Sequence, residues 1–258
     1  MIRLRIASLI LGIWAGVQGA VPPFVHGADL DTIRRRGYLI VAVKDNLPPL
    51  GFQDASGTLQ GLEIDLARQL ATELLGRPDA VELRPVSNQA RLAALLADEV
   101  DVVIARMTLT ASRARLVDFS ETYYLDGTAL ITRDSTIQRV AHLRHRAIAV
   151  LEHSSTIAVV RSHLPQAQLV GVRSYQDALT LMEAGQVAAF AADASVLTGW
   201  AQGNPNYQVL PERLSGEPLA IAMPRGRRYQ SLRQQVNRTL VRLKETGWLG
   251  DRIQFWGL

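Results

Sequence analysis

A short β-branched apolar run at residues 102–105 ends abruptly in a polar segment and constrains the fold more than any other stretch. Continuous β-branched residues are typical of a strand that is buried on both faces, as in a parallel sheet. In open α/β sheets, ligands bind beyond the ends of such strands. Thr108 and Arg113 follow the run, and a guanidinium can bind a carboxylate through two hydrogen bonds. The alternative is that Thr110 caps a helix and Arg113 is solvated.

Short apolar runs alternate with segments of helical periodicity along most of the chain. The predicted strands are residues 38–43, 81–86, 100–105, 147–151, 169–172 and 187–191, and the predicted helices start at residues 61, 91, 157, 175 and 229. Strands that alternate with helices predict mainly parallel sheets with helices on both faces. At 258 residues, the chain can bury one large core or two smaller ones.

The start of the chain has a different composition from the rest. Arg3 and Arg5 form a basic beginning, residues 6–17 are apolar, and small residues follow around Ala20 and Ala28. This order predicts a secretory signal peptide whose cleavage site the sequence leaves open. The apolar run is short for a membrane span, although a membrane anchor is the alternative. We therefore expect export to the periplasm, which also suits a chain without cysteine.

Composition narrows the classes of function. The absence of cysteine excludes disulfides, thiol catalysis and cysteine-bound metals. The net charge of +4 comes from scattered basic residues, so we expect no nucleic-acid partner. No grouping of His, Asp and Glu has the spacing of a metal site, and we expect neither a metal nor a cofactor.

Polar residues also follow predicted strands in the second half of the chain. Ser154 and Ser155 precede a predicted helix, where hydroxyls and free N–H groups can bind an anion. Asp193 directly follows a strand, so it either lies in a ligand site or caps the next helix. The strand ends of both halves are therefore the expected place for a small ligand.

Several short blocks give the chain a family resemblance. They are Gly-Leu-Glu-Ile-Asp-Leu at 61–66, Thr-Leu-Thr-Ala-Ser-Arg at 108–113 with Asp-Phe-Ser at 118–120, Gly-Gln-Val-Ala-Ala-Phe at 185–190 with Asp193, and Trp-Gly at 256–257. In this order the blocks resemble the solute-binding proteins of bacterial polar amino-acid transporters, the extracellular family 3 type. The resemblance covers residues 29–258.

The resemblance implies an α/β, two-lobed fold like that of periplasmic binding proteins. Each lobe would be a mainly parallel sheet flanked by helices, and two hinge strands would join the lobes. The expected divisions are 1–28 for the signal peptide, 29–128 for the first part of lobe 1, 129–219 for lobe 2 and 220–258 for the return to lobe 1. Strands at 128–132 and 218–223 are the expected crossings between lobes.

The resemblance also implies a set of ligand-binding residues. Arg113 would bind the α-carboxylate of an amino acid, Thr108 would add a hydroxyl and a backbone partner, and Asp193 would accept hydrogen bonds from the α-ammonium group. Ser154 and Ser155 would add donors from lobe 2. A zwitterion held away from water needs a cation at one end and an anion at the other, and this set supplies both.

Other residues would distinguish the side chain of the ligand. Lys44, Arg91 and Arg106 bring three cations near the expected cleft and favour an acidic ligand, glutamate or aspartate. Asn88 stands where many relatives carry an aromatic residue, and Tyr175 is a further lining candidate. If the cations are ordinary surface charges, a neutral amino acid such as glutamine is the alternative.

We expect a monomeric periplasmic protein that is not an enzyme and that delivers a free amino acid to the membrane permease of an ABC transporter. One alternative is a periplasmic dehydratase of the prephenate or arogenate type, for which Glu152, His153 and Asp193 are candidate general acids. Another is a sensor module of a receptor or of a cell-wall lytic enzyme. His153 stands where relatives usually have glycine, so its role is open.

Overall fold

The computed structural model describes residues 28–152 and 154–258, which form two α/β lobes, each around its own five-stranded sheet. The predicted signal peptide, apart from Ala28, and His153 lie outside the described residues. Ala28 is fully buried, and its N–H donates to Oδ1 of Asp101 at 2.9 Å. Ala28 therefore belongs to the folded first lobe, whereas the predicted division places it in the signal peptide.

The first lobe contains most of the first half of the chain and the C-terminal elements. Its first part consists of α1 (Leu30–Arg36), β1 (Leu39–Val43), β2 (Asn46–Leu47), β3 (Gly51–Gln53), β4 (Leu59–Gln60), α2 (Leu62–Leu75), β5 (Val81–Pro85), α3 (Ala90–Leu96), β6 (Val102–Ile104) and β7 (Asp118–Asp126). The second lobe consists of β8 (Thr128–Thr132), β9 (Ala147–Leu151), α4 (Thr156–His163), β10 (Gln168–Val172), α5 (Tyr175–Glu183), β11 (Ala189–Asp193), α6 (Ala194–Gly203) and β12 (Gln208–Val209). The chain then returns with β13 (Glu217–Met223), α7 (Gln230–Glu245) and α8 (Trp248–Phe255).

Both sheets are mainly parallel, as the alternation of strands and helices predicts. The strand order is β5-β1-β6-β13-β7 in the first lobe and β10-β9-β11-β8-β12 in the second. In each sheet four strands run in one direction, and only β13 or β8 runs against them. The first lobe also contains a small antiparallel sheet of β2, β3 and β4.

The cores follow from the sequence pattern. The strands β1 and β6 are buried along their whole length, as continuous apolar runs require. The helix α2 buries a stripe with a period of four residues, formed by Leu62, Leu66, Leu70 and Leu74. In the second lobe, Phe190 is fully buried, with its ring against those of Tyr175 and Trp200.

The two crossings between lobes are short links rather than the predicted strands at 128–132 and 218–223. Those strands pair within one sheet each, as β8 and β13, so the chain changes lobe at Gly127 and again at residues 215–216. The links touch, because the N–H of Thr128 donates to Oγ of Ser215 at 2.9 Å. A Cβ atom on Gly127 would overlap the carbonyl oxygen of Ser215. Since β13 begins at Glu217, the return to lobe 1 starts before the predicted residue 220.

The lobes also contact each other away from the crossings, through α6. A Cβ atom on Gly199 in this helix would overlap the carbonyl oxygen of Pro48 in lobe 1. One turn further, Nε2 of Gln202 donates to the carbonyl oxygen of Trp256 at 2.8 Å. The indole N–H of Trp256 in turn donates to Oδ2 of Asp65 on α2, at 2.9 Å. The cleft between the lobes is therefore narrow.

Among the described residues, none of the helices has the length and apolarity needed to span a bilayer.

Candidate ligand-binding cleft

A cavity of about 230 Å³ lies between the lobes, at the ends of strands from both sheets. The first lobe and the second crossing contribute Arg91, Arg106, Thr108, Arg113 and Glu217 to its lining. The second lobe contributes Leu151, Ser154, Ser155, Thr156, Tyr175, Ala191, Ala192 and Asp193. Eight of the ten predicted ligand-binding residues are in this set, and only Lys44 and Asn88 are not.

Arg113 begins a single 3-10 turn, Arg113–Arg115, and lines the cavity. Its backbone N–H donates to Oγ1 of Thr110 at 3.3 Å, although the N-cap position of the turn is Ser112 and not Thr110 as the alternative interpretation predicts. This bond leaves the Arg113 side chain free to line the cavity. Nη1 of Arg113 donates to the carbonyl oxygen of Thr108 at 2.9 Å, which fixes the direction of the guanidinium. Within the described residues, its Nε and Nη2 donors have no hydrogen-bond acceptor.

Thr108 is held in place by the returning strand. It forms an isolated antiparallel bridge with Leu219, and the N–H of Leu109 donates to the carbonyl oxygen of Pro218 at 2.9 Å. Because its own carbonyl oxygen orients Arg113, Thr108 positions the guanidinium and is also one of the residues that line the cavity.

Arg91 lies at the first turn of α3 and is almost fully buried. Its Nη1 donates to the carbonyl oxygens of Ala105 and Arg106, each at 2.6 Å. Burial, together with repulsion from Arg113 and Arg106, lowers the pKa of Arg91 to about 10, so it stays a cation at neutral pH. Arg91 therefore braces the segment after β6 as well as lining the cavity.

Arg106 has a left-handed backbone, with φ of 48°, which is uncommon for a residue other than glycine. Its N–H donates to Oε1 of the fully buried Glu63 at 2.6 Å, and Arg91 binds its carbonyl oxygen. The side chain reaches three carboxylates. Nε lies 3.3 Å from Oδ2 of Asp126, and Nη2 contacts Asp193 and lies 3.9 Å from Oε2 of Glu217.

The acidic end of the cavity consists of Asp193 and Glu217. Asp193 ends β11 and occupies the N-cap position of α6, but its side chain accepts no capping hydrogen bond there. Burial raises the pKa of Asp193, and the neighbouring Arg106 acts in the opposite direction. Burial and the nearby Asp193 also raise the pKa of Glu217. Glu217 is the acidic lining residue that sequence reasoning missed, although its position directly before the predicted crossing at 218–223 offered a signal.

The second lobe provides hydroxyl groups opposite Arg113. Oγ of Ser154 is buried and has no hydrogen-bond partner among the described residues. Ser155 and Thr156 follow at the start of α4, where backbone N–H groups favour an anion. Tyr175 lines the cavity beside them, with its ring edge against Phe190 and centroids 5.8 Å apart.

Lys44 and Asn88 lie outside the cavity lining. Lys44 is only 4% exposed, and its Nζ donates to the carbonyl oxygen of Val86 at 2.8 Å, so the ammonium group is satisfied within lobe 1. Burial lowers the pKa of Lys44, with a smaller opposing effect from Asp45. Asn88 is exposed. These two positions do not support the predicted discrimination of the ligand side chain.

Of the candidate general acids for a dehydratase, the structure describes Glu152 and Asp193, and only Asp193 lines the cavity. Glu152 lies beside Gly171 on another face of the second lobe and is not part of the cavity lining. Asp193 lines the cavity but is paired with Arg106. In residues 28–152 and 154–258, no three His, Asp or Glu side chains form a group suited to hold a metal ion.

Comparison with known proteins gives consistent matches over the described residues. Residues 39–258 match the family described as bacterial extracellular solute-binding proteins, family 3. The chain is 36% identical to a glutamine-binding protein of Geobacillus stearothermophilus over 195 residues, which are 74% of each protein. It is 28% identical to the ABC transporter glutamine-binding protein GlnH of Bacillus subtilis, over 88% of this chain and 84% of that protein.

One similar solved structure bears on the enzyme alternative. It is an ancestral amino-acid-binding protein, described as a precursor of cyclohexadienyl dehydratase. The TM-score is 0.68 at 27% sequence identity, and the match covers 88% of this chain and 98% of that one.

Proposed function

Because this chain belongs to the bacterial extracellular solute-binding proteins of family 3, we propose that it binds a free amino acid between its lobes and delivers it to the membrane permease of an ABC transporter. The observation that carries this proposal is the position of Arg113. Its guanidinium lines a polar cavity between the lobes, with donors left over after it binds the Thr108 carbonyl oxygen. A carboxylate is the ligand group that best fits such donors.

The second lobe supports the same assignment of the carboxylate. The unpartnered hydroxyl of Ser154 and the start of α4 face the cavity that Arg113 lines. A carboxylate there would join the two lobes, because Arg113 belongs to one and Ser154 to the other. Binding would thus favour the narrow cleft over an open one, which is the energetic basis of hinge closure.

The proposed ligand is a polar amino acid, with glutamine ahead of glutamate or aspartate. The sequence favours an acidic ligand through Lys44, Arg91 and Arg106, but each of these cations has internal partners: a carbonyl oxygen, two carbonyl oxygens and three carboxylates. Their pull on a second ligand carboxylate is correspondingly smaller. The two curated relatives are named as glutamine-binding proteins, which favours a neutral amide.

We propose a monomer in the periplasm, exported by a leader that ends before the folded lobe at Ala28. The proposed division is a first lobe up to Asp126 and again from Glu217, with the second lobe between Thr128 and Leu214.

No chemical step is assigned to the cleft, since Glu152 lies outside it. A turnover assay with prephenate and arogenate tests that point, and we expect no product.

Thermal unfolding against the twenty amino acids tests the proposed function. A ligand at 100 times its dissociation constant should stabilise the folded protein by about 2.7 kcal/mol. We expect a rise in Tm with glutamine, a smaller rise with glutamate, and none with lysine or arginine. If none of the twenty amino acids raises the Tm, the proposal of amino-acid binding is wrong.

A further inference from the structure

The acidic end of the cavity already holds a cation that belongs to the chain itself. Nη2 of Arg106 contacts the carboxylate of Asp193, and Glu217 lies on the same side of this guanidinium at 3.9 Å. The Arg106 side chain is 14% exposed, so these ion pairs are largely removed from water. A ligand ammonium group placed beside Asp193 would have to share that carboxylate with Arg106.

The guanidinium of Arg106 is held in position by a buried carboxylate of its own lobe. Nε of Arg106 lies 3.3 Å from Oδ2 of the fully buried Asp126. Asp126 is itself fixed to the start of α6, because it accepts hydrogen bonds from the N–H and the Oγ of Ser195, at 3.0 and 2.6 Å. Moving the guanidinium aside would leave a buried carboxylate without its cation, which is costly.

The backbone of Arg106 is fixed as well. Glu63 accepts its N–H, and Arg91 donates to its carbonyl oxygen, each at 2.6 Å. These bonds hold a left-handed conformation that glycine would adopt more easily. From this backbone the side chain reaches across the cleft to Asp193 of the second lobe.

We propose that Arg106 takes the place of the ligand's α-ammonium group, so that the cleft recognises a small carboxylate whether or not it carries an α-amine. This inference rests on the proposed function, since it assumes that Arg113 binds the carboxylate of the ligand in this cavity. The substrate class then includes amine-free acids, such as a monoamide or a dicarboxylate with the carbon skeleton of an amino acid. Within this class, Arg106 sets the specificity at the amine position.

Charge at the acidic end supports the proposal. Burial lowers the pKa of Arg106, but Asp193, Asp126 and Glu217 together outweigh that effect and raise it. The guanidinium is therefore a permanent cation among these carboxylates. An incoming ammonium group would meet a like charge at the Asp193 carboxylate, where a glycine at position 106 would leave none.

The test measures binding of matched pairs that differ only in the amine, by titration calorimetry on the full folded protein. The pairs are glutamine with glutaramate and glutamate with glutarate. We expect the two members of a pair to bind wild-type protein with dissociation constants that differ less than fivefold. A fivefold or greater preference for the amino acid would overturn the inference.

Two variants identify the residue responsible. Arg106→Gly suits the left-handed backbone and frees Asp193, so we expect it to prefer the amino acid by at least fivefold. Arg115→Ala removes an exposed arginine from the same lobe and should keep the wild-type ratio. If Arg106→Gly folds and still binds the two members of a pair with dissociation constants that differ less than fivefold, Arg106 does not take the place of the α-ammonium group. If Arg106→Gly does not fold, the ratio of dissociation constants measured on wild-type protein still tests the inference.

Failure of the proposed function has a different signature. If no member of any pair binds to wild-type protein, the cleft is not a carboxylate site and both proposals fall together. If the amine-free acids bind and no amino acid does, Arg106 still takes the place of the ammonium group, but the cleft excludes the amine and the amino-acid assignment is wrong. If amino acids bind and their amine-free counterparts do not, the proposed function stands and the inference is wrong.

Discussion

Gly199 on α6 lies so close to Pro48 of the other lobe that a Cβ atom would overlap the carbonyl oxygen of Pro48. The obstructing atom belongs to the backbone, which cannot rotate away as a flexible side chain can. The narrow cleft therefore depends on glycine at position 199, although this residue does not line the cavity.

Gly199→Ala should weaken ligand binding by separating the lobes while each lobe stays folded. Gly203→Ala is a matched control in the same helix, because a Cβ atom there meets nothing within 4 Å. We expect at least tenfold weaker binding for Gly199→Ala by calorimetry, and no change for Gly203→Ala. The control should instead gain about 0.4–1 kcal/mol of stability, as alanine restricts the unfolded chain. Equal affinities for the two variants would show that this contact does not limit closure.

Arg113→Ala should remove most of the affinity for a carboxylate ligand. A desolvated carboxylate that loses its charged partner costs about 2–5 kcal/mol, which corresponds to a loss of affinity of roughly 30-fold or more. Arg115→Ala, at the exposed end of the same turn, is the matched control and should bind normally. Unchanged binding in Arg113→Ala would exclude this residue from the site.

Lys44→Met tests whether the buried lysine distinguishes ligand side chains. Because Nζ of Lys44 is bound to the carbonyl oxygen of Val86, we expect the ratio of glutamate to glutamine affinity to change by less than about twofold, or about 0.4 kcal/mol. Calorimetric titration with both ligands gives this ratio. A tenfold loss specific to glutamate would restore Lys44 to the role that the sequence suggests.

Glu63→Gln should alter the pH dependence of stability. Burial raises the pKa of Glu63 above its ordinary value of 4.5, despite hydrogen bonds from Tyr123 and from the Arg106 N–H. The folded state therefore holds this proton more tightly than the unfolded state. The unfolding free energy falls as pH rises from 4.5 through the folded pKa, and glutamine removes that part of the slope.

The pH series needs urea unfolding at several pH values, with Glu82→Gln as the control for loss of a half-exposed carboxylate. The amide introduced by Glu63→Gln keeps an oxygen that can accept from Tyr123 and Arg106, so the variant should fold. A pH slope for Glu63→Gln equal to that of wild type would mean that Glu63 ionises alike in both states.

Much of the fold could be predicted from the sequence because the local signals agree with the tertiary structure. The four-residue spacing of Leu62, Leu66, Leu70 and Leu74 marks the buried face of α2, and the β-branched run at 102–104 is the buried strand β6. The mainly parallel sheets and the two lobes follow from the alternation of such segments. The sequence misplaces the crossings because strand pairing, and not composition, determines where the chain changes sheet.

The candidate site could be predicted less completely, since it depends on where side chains point. The motifs predict that Arg113 lies in the first lobe and that Asp193 lies at the end of a strand. Both residues line the cavity. The direction of Lys44 depends on a carbonyl oxygen that lies at the far end of a neighbouring strand. Glu217 reaches the site only because β13 pairs with β7 beside Asp126, far earlier in the chain.

The C-terminal tryptophan gives the protein an intrinsic optical probe. The indole of Trp256 is anchored to Asp65, lies edge-on to Phe52 and Phe255, and is followed by a carbonyl oxygen that Gln202 of the opposite lobe binds. Widening of the cleft would stretch or break that last bond, which joins the backbone of Trp256 to the second lobe. Tryptophan emission should shift with ligand concentration, so the motion of the lobes can be followed in real time on the unlabelled protein.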